Sequence, residues 1–503
     1  ISQIGTEVGA YPYVGLLSAT PQNNRPDDLK NQIYLFERNR SDSTLRKAKG
    51  GNIEGFFSEM GKRYAQIINS SHSVNESEEF DRKLSPKEID KELNDISASI
   101  RNCVLSDILV RRTRTDVQKY YQNDMGEQKM RFPKISGPNS LQYLMKPNLA
   151  RLFSQTMNLI AQRVNETSPN HDFLGYYRYR LIEFILDPEI KQVYKGRNLE
   201  PDRFSQQLAR IMQVNLVKRL ESSFSAFRTS LNNLRCYTQN MIDMWEKNAI
   251  FICPQIDVNG ELNVRKHWEQ THRVVSFDSC IEDIRRKIKK LNENGNNIKE
   301  RNREFTRAEF SEQYINLLRQ DLAFIDDLCE QWKDYPEDPK LDVFKHDLRP
   351  VLFDKQKNPS QLLVIFTEAI DTVRALVTVA ENQDFRVLSI TAKNRKDKEL
   401  EIKENFDANY RGEKKFNYDI IITTEVLAEG VNLHRANTIL NYDTPWNSTR
   451  LMQRIGRVNR IGSDAEYVYV YNFMPSSEGD AEINLVKKAH AKLQSFHTLF
   501  GED

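Results

Sequence analysis

The chain is sparing with several things that would each mark a class. It has only five cysteines in 503 residues, at positions 103, 236, 253, 280 and 329. They are scattered and odd in number, which excludes a disulfide framework and points to a reducing compartment. Tightly spaced cysteine or histidine pairs of the kind that hold zinc are missing as well. His267 and His272 stand five apart in "RKHWEQTHR" with no paired ligands near them, so they make a poor metal site. Net charge is close to absent: the formal total is +2, so any surface for a polyanion has to be local. No apolar run approaches the roughly 20 residues that span a bilayer. The first residues, "ISQIGTEVGAYPY", carry neither a basic start nor an apolar stretch of signal-peptide type, and no initiator Met. A cytoplasmic protein without membrane contact is the expectation, and the chain reads as part of a longer one. Also missing is any G-x-x-x-x-G-K-[ST] loop, whose backbone N–H groups and lysine would cradle a triphosphate.

What is present has the build of an ordinary globular chain, with 39% hydrophobic and 29% charged residues. At roughly 100–200 residues per domain, about three domains are expected. The most legible part lies near the end. Five short apolar runs, "LLVIFTE" (362–368), "FRVLSIT" (385–391), "DIIITTE" (419–425), "TILNYD" (438–443) and "YVYVYNF" (467–473), suit strands buried on both faces of a parallel sheet. Helical patterns separate them. One puts Ile370, Val373, Leu376 and Val377 on one face, and another carries Leu400, Ile402 and Phe406. Strand alternating with helix implies right-handed βαβ units. From about 140 to 335 the periodicity is helical, with "CIEDIRRKIKKLNENGNNIKERNREF" expected as two helices broken at the Gly-Asn turn. The segment 69–88 is rich in Ser, Asn and Glu and is expected to be flexible.

One octapeptide carries the chemistry. "QRIGRVNR" (453–460) places three arginines within two helical turns. In a helix, Leu451, Ile455 and Val458 form the buried side, while Gln453, Arg457 and Arg460 share another face. Gly456 costs a helix interior about 1 kcal/mol relative to Ala, so it implies a close approach or a helix end. Planar guanidiniums bind phosphate bidentately, although a solvated basic helix has the same spacing.

The surroundings narrow this. "TTEVLAEGVNL" (423–433) and "NYDTPWNSTRLMQRIGRVNRIGS" (441–463) resemble motifs V and VI of superfamily 2 helicases, especially the SWI/SNF-like ATPases and their bacterial relatives. "LLVIFTE" is similar to their motif IV strand, "LLSATP" (16–21) to motif III, and "LVRRTRTDV" (109–117) to the double-arginine segment that follows it. Asn459 and Ser448 depart from residues frequent in relatives, and neither touches the arginines. The resemblance implies an α/β fold: a RecA-like parallel-sheet lobe preceded by a large, mainly α-helical region. It divides the chain into a remnant of a first RecA-like domain with a helical extension (1–130), a helical insertion or bridge (131–338), a second RecA-like domain (339–475) and a C-terminal helix (476–503).

The same resemblance implies roles. Arg457 and Arg460 are the arginine fingers toward ATP, with Gln453, Glu429 and Gly430 beside the nucleotide. Thr423, Thr424 and Trp446 contact nucleic acid, although Trp446 has an alternative as a core or lid aromatic. Ser18, Ala19 and Thr20 couple the two activities. ATP and Mg²⁺ are implied, with the phosphate loop and acidic box lying upstream in an N-terminal RecA-like domain. The implied function is ATP-driven movement along double-stranded DNA, with RNA as the other possible track. A motor working with a nuclease in restriction or phage defence, and a non-catalytic DNA clamp, are the alternatives. In the helical region, "LDPEIK" (186–191) fits a helix start at Pro188 better than a nuclease site. "KRLESSFSAFRTSL" (218–231), similar to an inter-domain segment of bacterial relatives, is expected to pack through Leu220, Phe224 and Phe227. "RRKIKK" (285–290) reads as a solvated helix face, with phosphate contact as the alternative.

Overall fold

The computed structural model describes residues 15–16, 26–37, 40–70, 86–110, 114–127, 132–162, 172–196, 199–262, 276–333, 335, 337–445 and 448–474. Among these, helices of eight residues or more are α1 (Pro26–Ile33), α2 (Ile53–Ser70), α3 (Pro86–Ile100), α4 (Pro147–Ala161), α5 (Pro201–Ser222) and α6 (Phe224–Glu246). They continue with α7 (Phe277–Glu293), α8 (Gln313–Lys333), α9 (Pro339–Asp347), α10 (Ile370–Glu381), α11 (Glu399–Phe406) and α12 (Ser448–Val458). The strands are β1 (Lys134–Leu141), β2 (Ile250–Ile252), β3 (Arg303–Phe305), β4 (Leu363–Phe366), β5 (Val387–Ile390), β6 (Ile420–Thr423), β7 (Thr438–Asn441) and β8 (Tyr467–Phe473).

The five apolar runs are strands of one six-stranded sheet, ordered β1-β8-β7-β4-β6-β5 and parallel throughout. Their alternating residues feed two separate cores, as a doubly covered sheet requires. Val364, Phe366, Ile421 and Ile439 join Ile402 and Phe406 of α11 and Ile455 and Val458 of α12. Leu363, Ile365, Ile422 and Leu440 face Phe344 of α9 and Val373 and Leu376 of α10 on the other side. Two residues expected in those helix faces are not there: Ile370 and Leu400 are exposed, each sitting in the first turn, before its helix has closed on the sheet.

The sixth strand was not expected. "KISGPNSL" contains Gly137 and Pro138 and is mostly exposed, yet it pairs in parallel with β8 from Lys134↔Tyr467 to Leu141↔Phe473. Glycine and proline are tolerated there because the strand lies at the sheet edge. The lobe's sheet therefore draws a strand from N-terminal of position 339, where the sequence suggested that lobe would begin. The region between is mainly helical but also holds the antiparallel pair β2/β3. After α7 the chain turns at Gly295 (φ +63°) and continues as short 3₁₀ turns and β3, not as the second helix expected there.

The helical region has two cores, one centred on α6, α7 and α8 with β2 and β3, the other on α4, α5, α6 and α8. Leu220, Phe224 and Phe227 are buried as expected, the two phenylalanine rings packing edge-on against Trp332 at 4.8 and 5.2 Å. Helices α1–α3 form a further core around Phe57 and Ile96. Pro188 does open a short helix, with Asp187 accepting from the N–H groups of Glu189 and Ile190 as its N-cap. The basic run 285–290 is internally paired for the most part. Arg285 bonds Glu304 and Glu282, Arg286 bonds Asp283, and Lys287 bonds Glu261. The residues of "LLSATP" from Leu17 onward, most of 69–88, and His267 and His272 lie outside the described residues.

Candidate functional site

In a regular βαβ unit a helix would connect β6 to β7. Here the connection, residues 424–437, carries only one short 3₁₀ turn at Glu425–Leu427 and runs alongside α12 instead. Contacts advance together along both segments. Glu425 pairs with Arg454, Gln453 Nε2 donates to Glu429 Oε1 (3.1 Å), and the Leu433 N–H donates to the Arg457 carbonyl (2.9 Å). The two stretches picked out from the sequence are thus one surface.

The three arginines of α12 and its end then separate into two kinds. Arg454 is fully buried. Its guanidinium binds Asn441 Oδ1 (3.1 Å), the Asp443 carbonyl (2.8 Å) and Glu425, and lies 5.2 Å from the Phe366 ring centre. It is spent on holding α12 to the ends of β6 and β7. Arg457 and Arg460 are half-buried and lean on neutral groups. Arg457 Nε donates to the Gln453 carbonyl (3.2 Å) and Nη1 to the Val431 carbonyl (3.4 Å). Arg460 Nε donates to the Gly456 carbonyl (3.0 Å) and Nη1 to the Asn432 side-chain oxygen. Asn432 in turn donates to Asp407 Oδ2 (3.1 Å).

No carboxylate among the described residues pairs directly with Arg457 or Arg460. Burial pulls Arg457 below the ordinary guanidinium range and Arg460 repels it further, against the more distant Glu429. Burial does the same to Arg460, against Asp407. Both still carry full charge at neutral pH, since the ordinary guanidinium value is so high. Two partly desolvated cations held by uncharged acceptors are prepared for an anion.

Gly430 sits on the left-handed side at φ +75°, and a Cβ there would come within 2.9 Å of the Arg395 guanidinium. Arg395 Nη2 donates to the Glu429 carbonyl (2.9 Å), fixing the loop from behind β5. The sequence reading missed Arg395 because "TAKNRKDKE" looks like any charged turn. It also missed Arg114, whose Nη2 donates to the Asn459 carbonyl (3.0 Å) and so ties the double-arginine segment to the end of α12. A methyl group placed on Gly456 would have nothing within 4 Å, so among the described residues no part of this chain approaches it closely. It lies two residues from the end of the helix at Val458.

Of the residues suggested for nucleic-acid contact, Thr423 is fully buried and its hydroxyl donates to the Thr424 carbonyl (3.0 Å), so it offers no surface. Thr424 is half-buried. Trp446, Ser18, Ala19 and Thr20 lie outside the described residues.

A second polar cluster, unforeseen from the sequence, joins the helical region to the lobe. Asp443 accepts from Lys340 Nζ (3.0 Å), Thr367 Oγ1 (2.6 Å), the Glu368 N–H (2.8 Å) and Ser222 Oγ (2.7 Å). Ser222 and Ser223, at the junction of α5 and α6, each share a 2.8 Å hydrogen bond with Thr372 of α10. Burial alone would raise the Asp443 carboxyl. Lys340 and the hydroxyl and amide donors outweigh it and hold the carboxyl below its ordinary range.

Comparison with known proteins fixes the lobe. Residues 344–462 match the model of the "Helicase conserved C-terminal domain". Residues 344–462 thus carry a helicase C-terminal domain. It is 39% identical over 83 residues to "Uncharacterized ATP-dependent helicase YqhH" of Bacillus subtilis, covering 16% of this chain and 14% of that one. It is 29% identical over 114 residues to "DEAD-box ATP-dependent RNA helicase 10" of Arabidopsis thaliana (23% and 24%). It is also 26% identical over 142 residues to "Helicase SWR1" of Mycosarcoma maydis (28% and 7%). The matched stretches thus span a quarter or less of those relatives. Among the described residues no helix is long and apolar enough to cross a membrane.

Proposed function

We propose that this chain supplies the second motor lobe, and an attached helical module, of an ATP-dependent translocase that moves along double-stranded DNA. The observation that carries the reading is the pair Arg457 and Arg460: partly desolvated, charged, and, among the described residues, bound only to neutral acceptors. ATP is the substrate, bound between this lobe and a first RecA-like lobe; Mg²⁺, held by residues of that other lobe, would neutralise phosphate charge. On this side, Arg457 and Arg460 face the terminal phosphate and stabilise the charge that builds as its bond breaks, an effect worth about 10³–10⁵ in rate for arginine-finger NTPases. Gln453 and Glu429, already hydrogen-bonded to each other, align the helix and the loop so that both arginines sit on one face. Gly430 lets the loop turn sharply beside Arg395. The chain by itself turns over no ATP, because its sequence holds neither a phosphate loop nor an acidic box.

The test is Arg457→Ala in the complete protein, with ATP hydrolysis measured with and without duplex DNA. Loss of turnover by about three orders of magnitude or more, with DNA binding kept, supports the motor. Unchanged function in the variant supports a passive clamp instead. Replacing duplex DNA by duplex RNA in the same assay decides the track, and a nuclease activity dependent on Arg457 would place the motor in a restriction or defence assembly. Measurable DNA-stimulated hydrolysis by the 503-residue chain alone overturns the division of labour.

A further inference from the structure

Arg457 and Arg460 are held in two different ways. Each folds its Nε back onto the carbonyl four residues earlier (3.2 and 3.0 Å). Each also sends Nη1 across to the β6–β7 connection. Arg457 meets a backbone acceptor there, the Val431 carbonyl (3.4 Å), and the chain itself fixes where that oxygen points. Arg460 meets a side-chain acceptor, Asn432 Oδ1. An amide can turn end for end about its last torsion, and its NH₂ end is a donor that a guanidinium cannot bind. Some neighbour has to select the oxygen.

Asp407 makes that selection. It is the C-cap of α11, and its side chain is 13% exposed. Its Oδ1 accepts from the Asn409 N–H (2.9 Å) and its Oδ2 accepts from Asn432 Nδ2 (3.1 Å). An ionised carboxylate only accepts and a guanidinium only donates, so just one orientation of the amide between them satisfies both. The backbone keeps the three groups in line. The Arg435 N–H donates to the Phe406 carbonyl (3.0 Å), which ties the connection to the end of α11. Gly462, in the turn after Arg460, passes so close that a Cβ there would lie 2.9 Å from Asn409 Oδ1. The other charged or titratable groups near Asp407 are engaged or suppressed. Lys403 Nζ lies 2.6 Å from Glu399, and burial holds His434 toward its neutral form, with Nδ1 3.7 Å from Oδ1.

This arrangement separates position from charge. A carboxylate in direct contact would hold Arg460 but would also pair off the charge that a phosphate needs. With an amide between them, Asp407 directs the guanidinium from one residue away, and the charge stays available.

We infer that Asp407 is a positioning residue for Arg460, acting through Asn432 by fixing which end of its amide faces the guanidinium. The inference rests on the reading of Arg460 as a group that faces the terminal phosphate of ATP, and it adds how that group is aimed.

The experiment measures steady-state ATP hydrolysis by the complete protein at saturating duplex DNA, for Asp407→Asn, Asp407→Ala, Asn432→Ala and the combination Asp407→Asn/Asn432→Ala. Melting curves check that each variant is folded at the assay temperature. In Asp407→Asn the new amide keeps its oxygen on the Asn409 N–H and turns an NH₂ toward Asn432. Asn432 then offers its own oxygen to that group and an N–H to Arg460, donor against donor. Here kcat should fall by about 10- to 100-fold, the worth of one hydrogen bond to a charged group, with KM for ATP nearly unchanged. Asp407→Ala leaves Asn432 free to take either orientation, so it should lose less than Asp407→Asn. A purely structural role predicts the reverse order, because alanine also gives up the contact to Asn409. Asn432→Ala should be slow as well, and adding Asp407→Asn to it should cost nothing more, since no amide remains to be oriented. Unchanged kcat in Asp407→Asn, a larger loss in Asp407→Ala, or losses that multiply in the combined variant each overturn the inference. Arg460→Ala separates the two readings. If it leaves turnover intact, the motor reading fails. If it abolishes turnover while Asp407→Asn does not alter kcat, only the positioning role fails.

Discussion

Two charged clusters of the lobe stand at opposite extremes. Around Asp443 the acid is met by an ammonium, two hydroxyls and a backbone amide, all buried. Around Arg457 and Arg460 the cations meet carbonyl and amide oxygens, and the nearest acids act only from a distance. A cluster whose charges are all satisfied internally has nothing left to offer a ligand and serves the fold. One whose charges are only solvated by neutral dipoles gives up some stability and keeps its affinity for an anion. Arg454, one turn before Arg457 on the same helix, belongs to the first kind. Residue type and helix are the same, and only the partners decide the role.

Single substitutions can overturn this contrast. Arg457→Ala should cut ATP turnover by the complete protein by about 10³-fold or more. It should cost the fold less than about 1 kcal/mol, since only hydrogen bonds to neutral acceptors are lost. A denaturant titration showing a much larger loss would move Arg457 into the structural class. Asp443→Ala is the mirror experiment. Removing one member of a buried ion pair strands Lys340, and a loss of about 3–5 kcal/mol is expected by the same titration. A change below about 1 kcal/mol would show that the cluster holds nothing.

His434 extends the contrast from beside the open cluster. It is 1% exposed, neither ring nitrogen has a hydrogen-bond partner, and Asp407 is 3.7 Å away. Burial holds it below the ordinary histidine value despite Asp407. The folded chain thus resists a proton that the unfolded chain accepts, so stability is full above about pH 6.5 and declines as pH falls below it. Unfolding midpoints at neutral and mildly acidic pH should show that decline, and His434→Phe should flatten it. The smallest effect concerns Gly456. A methyl group there meets no other described part of the chain, so Gly456→Ala should stabilise the protein by about 0.5–1 kcal/mol. If turnover nevertheless drops in the complete protein, the open space beside Gly456 is occupied during the cycle.

The lobe was legible because a parallel sheet covered on both sides needs continuous apolar runs, and such runs survive inspection without an alignment. "QRIGRVNR" was legible in outline for a related reason: Ile455 and Val458 fix which face is buried, and that fixes where Arg457 and Arg460 lie. The rest depended on partners distant in sequence. Nothing in "KISGPNSL" advertises a strand, because an edge strand needs little apolar content. Arg395, Arg114 and Lys340 look like ordinary surface charge until the fold brings Glu429, Asn459 and Asp443 to them. Arg180 is hidden in the same way, its burial matched by Glu183 and Tyr177. Ile370 and Leu400 show the opposite error, where periodicity assigned to the core two residues that stand just outside it.

The edge strand β1 has one more consequence. The chain leaves the sheet at Leu141 and re-enters it at Leu363, so the helical module is sewn to the lobe along two seams, with Asp443 and Ser222 as a rivet between them. A body hung from one thread can spin; a body stitched twice and riveted turns only when its support turns. Any rotation of the lobe must therefore sweep the module with it, like an oar fixed in its lock.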